Sequence, residues 1–166
     1  VYRRGYRFIG DVEVVGDATA PDPEDEADVT IGFVRARGGV KLAVGETGSG
    51  LPLIKTANWL THVDADTNSP IWGHWVRDLS RNHRLIRYDA RGCGLSDLDL
   101  RGVPLNDLDL WVDDLERVIE TMGVERCALL GISQGGPVAV AYAVRHPERV
   151  CALILYGTYA RGMARR

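Results

Sequence analysis

Five consecutive residues, Gly131-Ile132-Ser133-Gln134-Gly135, form the arrangement in this sequence best suited to chemistry. They fit the pattern G-x-S-x-G, with the apolar run Cys127–Leu130 before them and a run rich in Ala, Gly and Val after them. Position matters more than the letters. A sharp turn from strand to helix lifts a serine hydroxyl above the end of a sheet and holds its backbone in a strained conformation. Two residues to either side, the chain passes so close to its neighbours that a Cβ would clash, which accounts for glycine at 131 and 135. Free N–H groups and the positive dipole end of the helix then face any oxyanion that forms there. The chemistry served is acyl transfer with Ser133 as nucleophile. An idle serine at a glycine-rich helix start is the plain alternative, and the strand before it and the small-residue helix after it argue against that. Pro137 falls early enough in the helix to be tolerated.

Such a serine needs a base, and the base needs a partner that fixes its tautomer. The histidines are His62, His74, His83 and His146. His146 falls at the end of the helix that follows the serine and suits the carbonyl end of that helix's dipole. His74 and His83 fall on or beside an earlier helix and read as surface residues. His62 lies a few residues beyond the third strand and is the one with a route to the site. Gly92-x-Gly94 and Gly45-x-x-Gly48-x-Gly50 lack a Walker lysine and the dinucleotide-binding spacing, so both read as turns. There is no C-x-x-C or H-E-x-x-H arrangement, so neither metal nor cofactor is implied.

The elements that must position the serine follow from patterning. Thr30–Arg37 and Val40–Glu46 read as strands around Gly38-Gly39, and Leu51–Ala57 as a third strand. Pro70–Arg81 reads as a helix with Ile71, Trp72, Trp75, Val76 and Leu79 on one side. Arg84–Tyr88 is a fourth strand. Asn106 is placed to cap the next helix, whose apolar residues Leu108, Trp111, Val112, Leu115, Val118, Ile119 and Met122 make one stripe, with Gly123 ending it. Cys127–Leu130 is a fifth strand, Ser133–Arg145 a helix and Val150–Tyr156 a sixth strand. Strands that are apolar on both faces and alternate with helices belong to a mostly parallel sheet covered on both sides, so the fold class is α/β. Trp72, Trp75 and Trp111 read as core, and Trp59 as a residue near a pocket.

Composition narrows the function classes. At 166 residues the chain buries one ordinary core, and its net charge of −3 gives no general attraction to nucleic acid or anionic lipid. No run approaches the roughly 18 apolar residues that cross a bilayer, and no secretory leader opens the sequence, so no membrane partner is expected. Three cysteines are too few for a disulfide framework; Cys127 and Cys151 sit in apolar runs, and a reducing cytoplasm is the expected location. Residues 16–28 carry prolines and acidic residues with almost no large apolar group and read as an acidic linker.

Residues from about Val29 to Arg161 resemble the N-terminal part of the α/β-hydrolase fold superfamily. The resemblance rests on the elbow at Ser133, on Pro52–Ala57 with its following loop, on Asp89-Ala90-Arg91-Gly92-Cys93-Gly94-Leu95-Ser96 as that family's D-x-R-G-x-G-x-S turn, and on Arg145-His146-Pro147-Glu148-Arg149-Val150. It implies an incomplete fold over 29–166, with about six of eight strands in the order 1-2-4-3-5-6-7-8. It also implies an oxyanion hole made by the backbone N–H groups of Gln134 and Trp59, with Asn58 beside the substrate. Where many relatives have His-Gly before the donor residue, this chain has Ala57-Asn58. In the family the acid and histidine of the triad follow the seventh and eighth strands, so the resemblance places both outside this chain. The chain alone is then expected to be inactive and poorly soluble, with strand six as an apolar edge. A serine at the elbow sets it apart from the dehalogenase and epoxide hydrolase branches, which use aspartate there, and leaves cofactor-free haloperoxidases open.

Residues 1–15, with Val1-Tyr2-Arg3-Arg4-Gly5-Tyr6-Arg7-Phe8-Ile9-Gly10, resemble the closing hairpin of the winged-helix DNA-binding domain of response regulators. Two functions are therefore weighed. One is a serine hydrolase of a small ester, lactone or related acyl substrate. The other is a transcriptional regulator whose hydrolase-like body senses a small ligand, with DNA contacted only through an N-terminal domain missing from this chain. Covalent capture of Ser133 by a fluorophosphonate distinguishes them.

Overall fold

The computed structural model describes residues 28–104 and 106–159. The DNA-binding remnant expected over 1–15 and all of the acidic linker but Asp28 lie outside these residues. Six strands form one sheet in the order β1-β2-β4-β3-β5-β6. They are β1 (Thr30–Arg35), β2 (Lys41–Thr47), β3 (Leu51–Lys55), β4 (His83–Tyr88), β5 (Cys127–Ile132) and β6 (Val150–Tyr156). β2 is antiparallel to both β1 and β4, and β3, β4, β5 and β6 are mutually parallel. The mostly parallel α/β sheet expected from the sequence is the one observed.

Three helices cover the sheet: α1 (Gly73–Ser80), α2 (Leu108–Thr121) and α3 (Gly135–Arg145). Successive strand residues point to opposite faces, and the core divides accordingly. Ile54, Ile86 and Leu129 meet Val112, Leu115, Val118 and Ile119 of α2 and Val138, Ala139 and Tyr142 of α3. Their sequence neighbours Leu53, Leu85, Ala128 and Leu130 meet Val76 of α1, with Trp72, Trp75 and Leu79 packed alongside. All six residues of β5 are buried. Burying one such aliphatic side chain contributes about 1.5–3 kcal/mol, so β5 is the firmest platform available for a reactive residue.

Several element ends differ from the sequence reading. Residues 70–72 form turns ahead of α1, because the Ser69 hydroxyl accepts the Trp72 N–H and starts the chain turning before the helix proper. Asp107, not Asn106, caps α2: its carboxylate accepts the N–H of Asp109 at 3.1 Å. Gly123 does end that segment, with φ 64°. The third helix starts at Gly135, since Ser133 has left the helical region. β6 is the apolar edge strand that the family resemblance implies. Residues 151–156 are all exposed, Cys151 included, and no strand pairs beyond β6 among the described residues.

The β4–α2 turn is built on buried polar groups. Asp89 is fully buried, and its carboxylate accepts the N–H groups of Val63 and Leu95. A Cβ on Gly94 would stand 2.1 Å from Asp89 Oδ2, so glycine is needed there. Arg91 makes a two-pronged ion pair with Asp114 of α2, at 2.6 and 2.7 Å. Ser96 donates to the Asp89 carbonyl and accepts the Ala43 N–H, tying the turn to β2.

Candidate active site

β5 runs straight into α3 with only Ser133 and Gln134 between them. Ser133 has φ 49°, a left-handed backbone conformation that a residue with a Cβ seldom adopts, and it is exposed. Strain of this kind persists only where the surroundings over-determine it. Here they do. The Ser133 N–H donates to the Tyr156 carbonyl at 3.1 Å, and the Ser133 carbonyl accepts both the Gly136 N–H at 3.2 Å and the Thr158 hydroxyl at 2.6 Å.

The glycines around the bend are required by contact. A Cβ on Gly131 would lie 2.7 Å from the Gly136 Cα. One on Gly135 would lie 2.4 Å from Thr56 Oγ1, and one on Gly136 would lie 1.8 Å from Thr158 Oγ1. Gly131 and Gly135 were legible from the motif. Gly136 was not, because the atom that fills its Cβ position belongs to a threonine beyond β6.

The loop after β3 comes to the same edge of the sheet, because β3 is the parallel neighbour of β5. The Thr56 hydroxyl lies within hydrogen-bond distance of the Leu130 carbonyl at 3.2 Å and the Gly135 carbonyl at 2.9 Å, which fastens the loop to the elbow. Buried Tyr88 hydrogen-bonds the Ala57 backbone; burial raises its hydroxyl well above the usual phenol range and keeps it protonated. Asn58 Oδ1 accepts a hydrogen bond from Lys55 Nζ at 2.5 Å. Trp59 and Leu60 stand exposed, and Leu60 takes a positive φ of 58°. Gln134 is exposed with helical φ and ψ, at the N-terminal boundary of α3.

None of the four histidines hydrogen-bonds Ser133. The His62 ring accepts the Ala65 N–H through Nδ1, and the His83 ring contacts the Leu79 carbonyl. His74 is exposed on α1 beside Trp75. His146 closes α3, with Nε2 2.9 Å from a carboxylate oxygen of Glu116 on α2. A cleft of about 650 Å³ lined by Arg37, Arg91, Leu98, Arg101 and Pro104 lies by the β1–β2 turn and does not include Ser133. All three of its guanidinium groups are already paired, Arg37 with Asp113, Arg91 with Asp114 and Arg101 with Asp99, so its size does not outweigh the elbow's geometry. Among the described residues no group of His, Cys, Asp and Glu is placed to hold a metal ion, and no helix is long and apolar enough to cross a membrane.

The sheet order and the strained serine between β5 and α3 point to one family, and comparison with known proteins decides it. A family model described as the alpha/beta hydrolase fold matches residues 58–164. The chain belongs to the α/β-hydrolase family. It is 32% identical over 123 residues to the 2-hydroxymuconate semialdehyde hydrolase of Pseudomonas sp. (strain CF600), covering 72% of this chain and 41% of that protein. It is 33% identical over 121 residues to the pimeloyl-[acyl-carrier protein] methyl ester esterase of Nitrosospira multiformis, covering 73% of this chain and 43% of that protein. A solved hydrolase from Pseudomonas aeruginosa PA01 superposes with a TM-score of 0.68 at 30% identity, over 81% of this chain and 49% of that one. This α/β-hydrolase chain thus spans less than half the length of the relatives it matches.

Proposed function

We propose that this chain supplies the nucleophile and oxyanion-binding part of a serine hydrolase acting on a small ester, lactone or related acyl compound. Ser133 attacks the acyl carbon, and the backbone N–H groups of Gln134 and Trp59 receive the negative charge that develops on the carbonyl oxygen. Asn58 borders the bound substrate. Removing one such donor typically costs about a hundred- to thousand-fold in rate, so the placement of the Trp59 loop matters as much as the nucleophile. The observation that carries this reading is the exposed Ser133 at φ 49°, at the end of the most deeply buried strand and at the start of a helix. The esterase and hydrolase names of two relatives agree with it. In this reading the base that takes the Ser133 proton is a histidine outside residues 28–159, since all four described histidines are engaged or remote. Three free cysteines suit a reducing compartment, and we place the protein in the cytoplasm.

The test is hydrolysis of p-nitrophenyl butyrate by the full-length protein. Ser133→Ala should lower kcat by at least about 10⁴-fold with little change in folding, as loss of a catalytic serine does elsewhere. Turnover undiminished in Ser133→Ala would remove the proposal.

A further inference from the structure

Lys55 has no role in the chemistry above, yet it is the last residue of β3, three positions before Asn58 and four before Trp59. The side chain is partly buried. Its ammonium lies 5.8 Å from the centre of the Trp72 ring and borders a small cavity of about 20 Å³ lined also by Asp66, Trp75, Val76 and Arg87. The charged groups that face it are Asp66 from the loop after β3, Arg87 from β4 and Asp89 just beyond β4; on its other side β5 sets Leu130 opposite it. Its hydrogen-bond acceptor is Asn58 Oδ1, at 2.5 Å. The Asn58 amide nitrogen in turn lies 3.4 Å from the Trp59 carbonyl.

The loop needs such a tether. Thr56 fastens its start to the elbow, and the Val63 N–H fastens its far side to Asp89. Between those points Trp59 and Leu60 are exposed and Leu60 holds a left-handed φ, so nothing in their own packing fixes the Trp59 peptide. A hydrogen bond from a charged donor is roughly twice as strong as a neutral one.

We propose that Lys55 is a positioning residue, whose ammonium holds Asn58 and thereby fixes the loop that presents the Trp59 N–H to the oxyanion. This rests on the Ser133 acyl-transfer reading and adds to it a control by pH. Burial pushes the Lys55 ammonium down to about 8, with Asp66 and Asp89 opposing the shift and Arg87 adding to it. As pH rises through that value the charge on the tether is lost, and kcat should fall on the alkaline side. The effect on stability has the opposite sense. Between about 8 and the ordinary lysine value of 10.5 the unfolded chain holds a proton that the native chain does not, so stability rises with pH there. At neutral pH the fold therefore carries the cost of a buried ammonium, which an apolar side chain would relieve.

The experiment uses the full-length protein, p-nitrophenyl butyrate turnover, fluorophosphonate labelling and thermal melting, on Lys55→Met, Lys55→Arg, Asn58→Leu and the Lys55→Met/Asn58→Leu pair. Lys55→Met and Asn58→Leu should each lower kcat by about 10- to 100-fold, the scale of a small misplacement, with KM nearly unchanged in Lys55→Met. The double variant should lose no more than either single one. Lys55→Arg should retain turnover and lose the alkaline fall. Lys55→Met should melt above the wild type at pH 7, with the gap closing toward pH 10.5. A merely structural lysine would instead melt lower when replaced. Unchanged kcat in both single variants, or additive losses in the double, overturns the role of Lys55 while labelling at Ser133 still stands. Absence of labelling at Ser133 overturns the acyl-transfer reading, and the Lys55 role with it.

Discussion

The hydroxyl of Thr158 donates to the carbonyl oxygen of Ser133 across 2.6 Å, so a residue just beyond β6 holds the bend at the end of β5. The two are 25 residues apart in the chain, and the elbow is therefore a product of two strands. Ser133 keeps its left-handed backbone because its N–H and its carbonyl are both committed to the segment 156–158.

Loosening that clamp should slow the reaction more than it weakens the fold. Thr158→Val removes one hydrogen bond and is expected to cost about 1 kcal/mol of stability, measured by urea unfolding. Its fluorophosphonate labelling rate should drop by about tenfold or more, as a displaced nucleophile demands. Gly136→Ala should reproduce the labelling defect, because its methyl group takes the place of Thr158 Oγ1. A Thr158→Val variant that labels as fast as the wild type would show that the clamp has no bearing on the nucleophile.

The buried pair of Arg91 and Asp114 makes a separate prediction. Both side chains are almost completely enclosed, and Arg91 also donates to the Arg37 carbonyl. Arg91→Leu leaves Asp114 buried without its partner and should cost about 3–5 kcal/mol in urea unfolding. Replacing both by apolar residues of similar volume, Arg91→Met with Asp114→Leu, should recover much of that loss. Equal destabilisation of the single and double variants would contradict this account.

β6 carries the third. Leu153, Ile154, Leu155 and Tyr156 are each between 38% and 58% exposed, on a strand that has one unpaired edge among the described residues. Such an edge templates association. The 166-residue chain alone should self-associate with rising concentration in sedimentation, and Leu153→Lys with Leu155→Lys should reduce that. A chain that stays monomeric at high concentration would show that the edge is protected.

What the sequence disclosed, and what it withheld, follows the range of the interactions. Gly131, Ser133 and Gly135 were legible because the steric demands of a strand-to-helix bend fall at fixed offsets along the chain. The two-faced core was legible because Leu53/Ile54 and Leu85/Ile86 each point one residue to either side, which shows as unbroken apolar runs, whereas the sheet order came from the family resemblance. Thr158, Thr56 and Lys55 were not, since each acts on a partner's backbone or on a loop, and nothing in a threonine's or a strand-end lysine's neighbours marks that. Asn106 and Asp107 are both good caps, and only the backbone (extended at Asp107, with its carboxylate on the Asp109 N–H) chooses between them. Cys151 looks buried by its apolar neighbours but is exposed, because patterning reports which residues can be covered and not what covers them.

The most direct test is to treat the full-length protein with a fluorophosphonate and locate the adduct by peptide mass spectrometry. A single phosphonylated residue at Ser133, absent from Ser133→Ala, is the predicted result. An adduct confined to another residue, or none from an enzyme that still turns over p-nitrophenyl butyrate, would contradict the claim that this serine is the nucleophile.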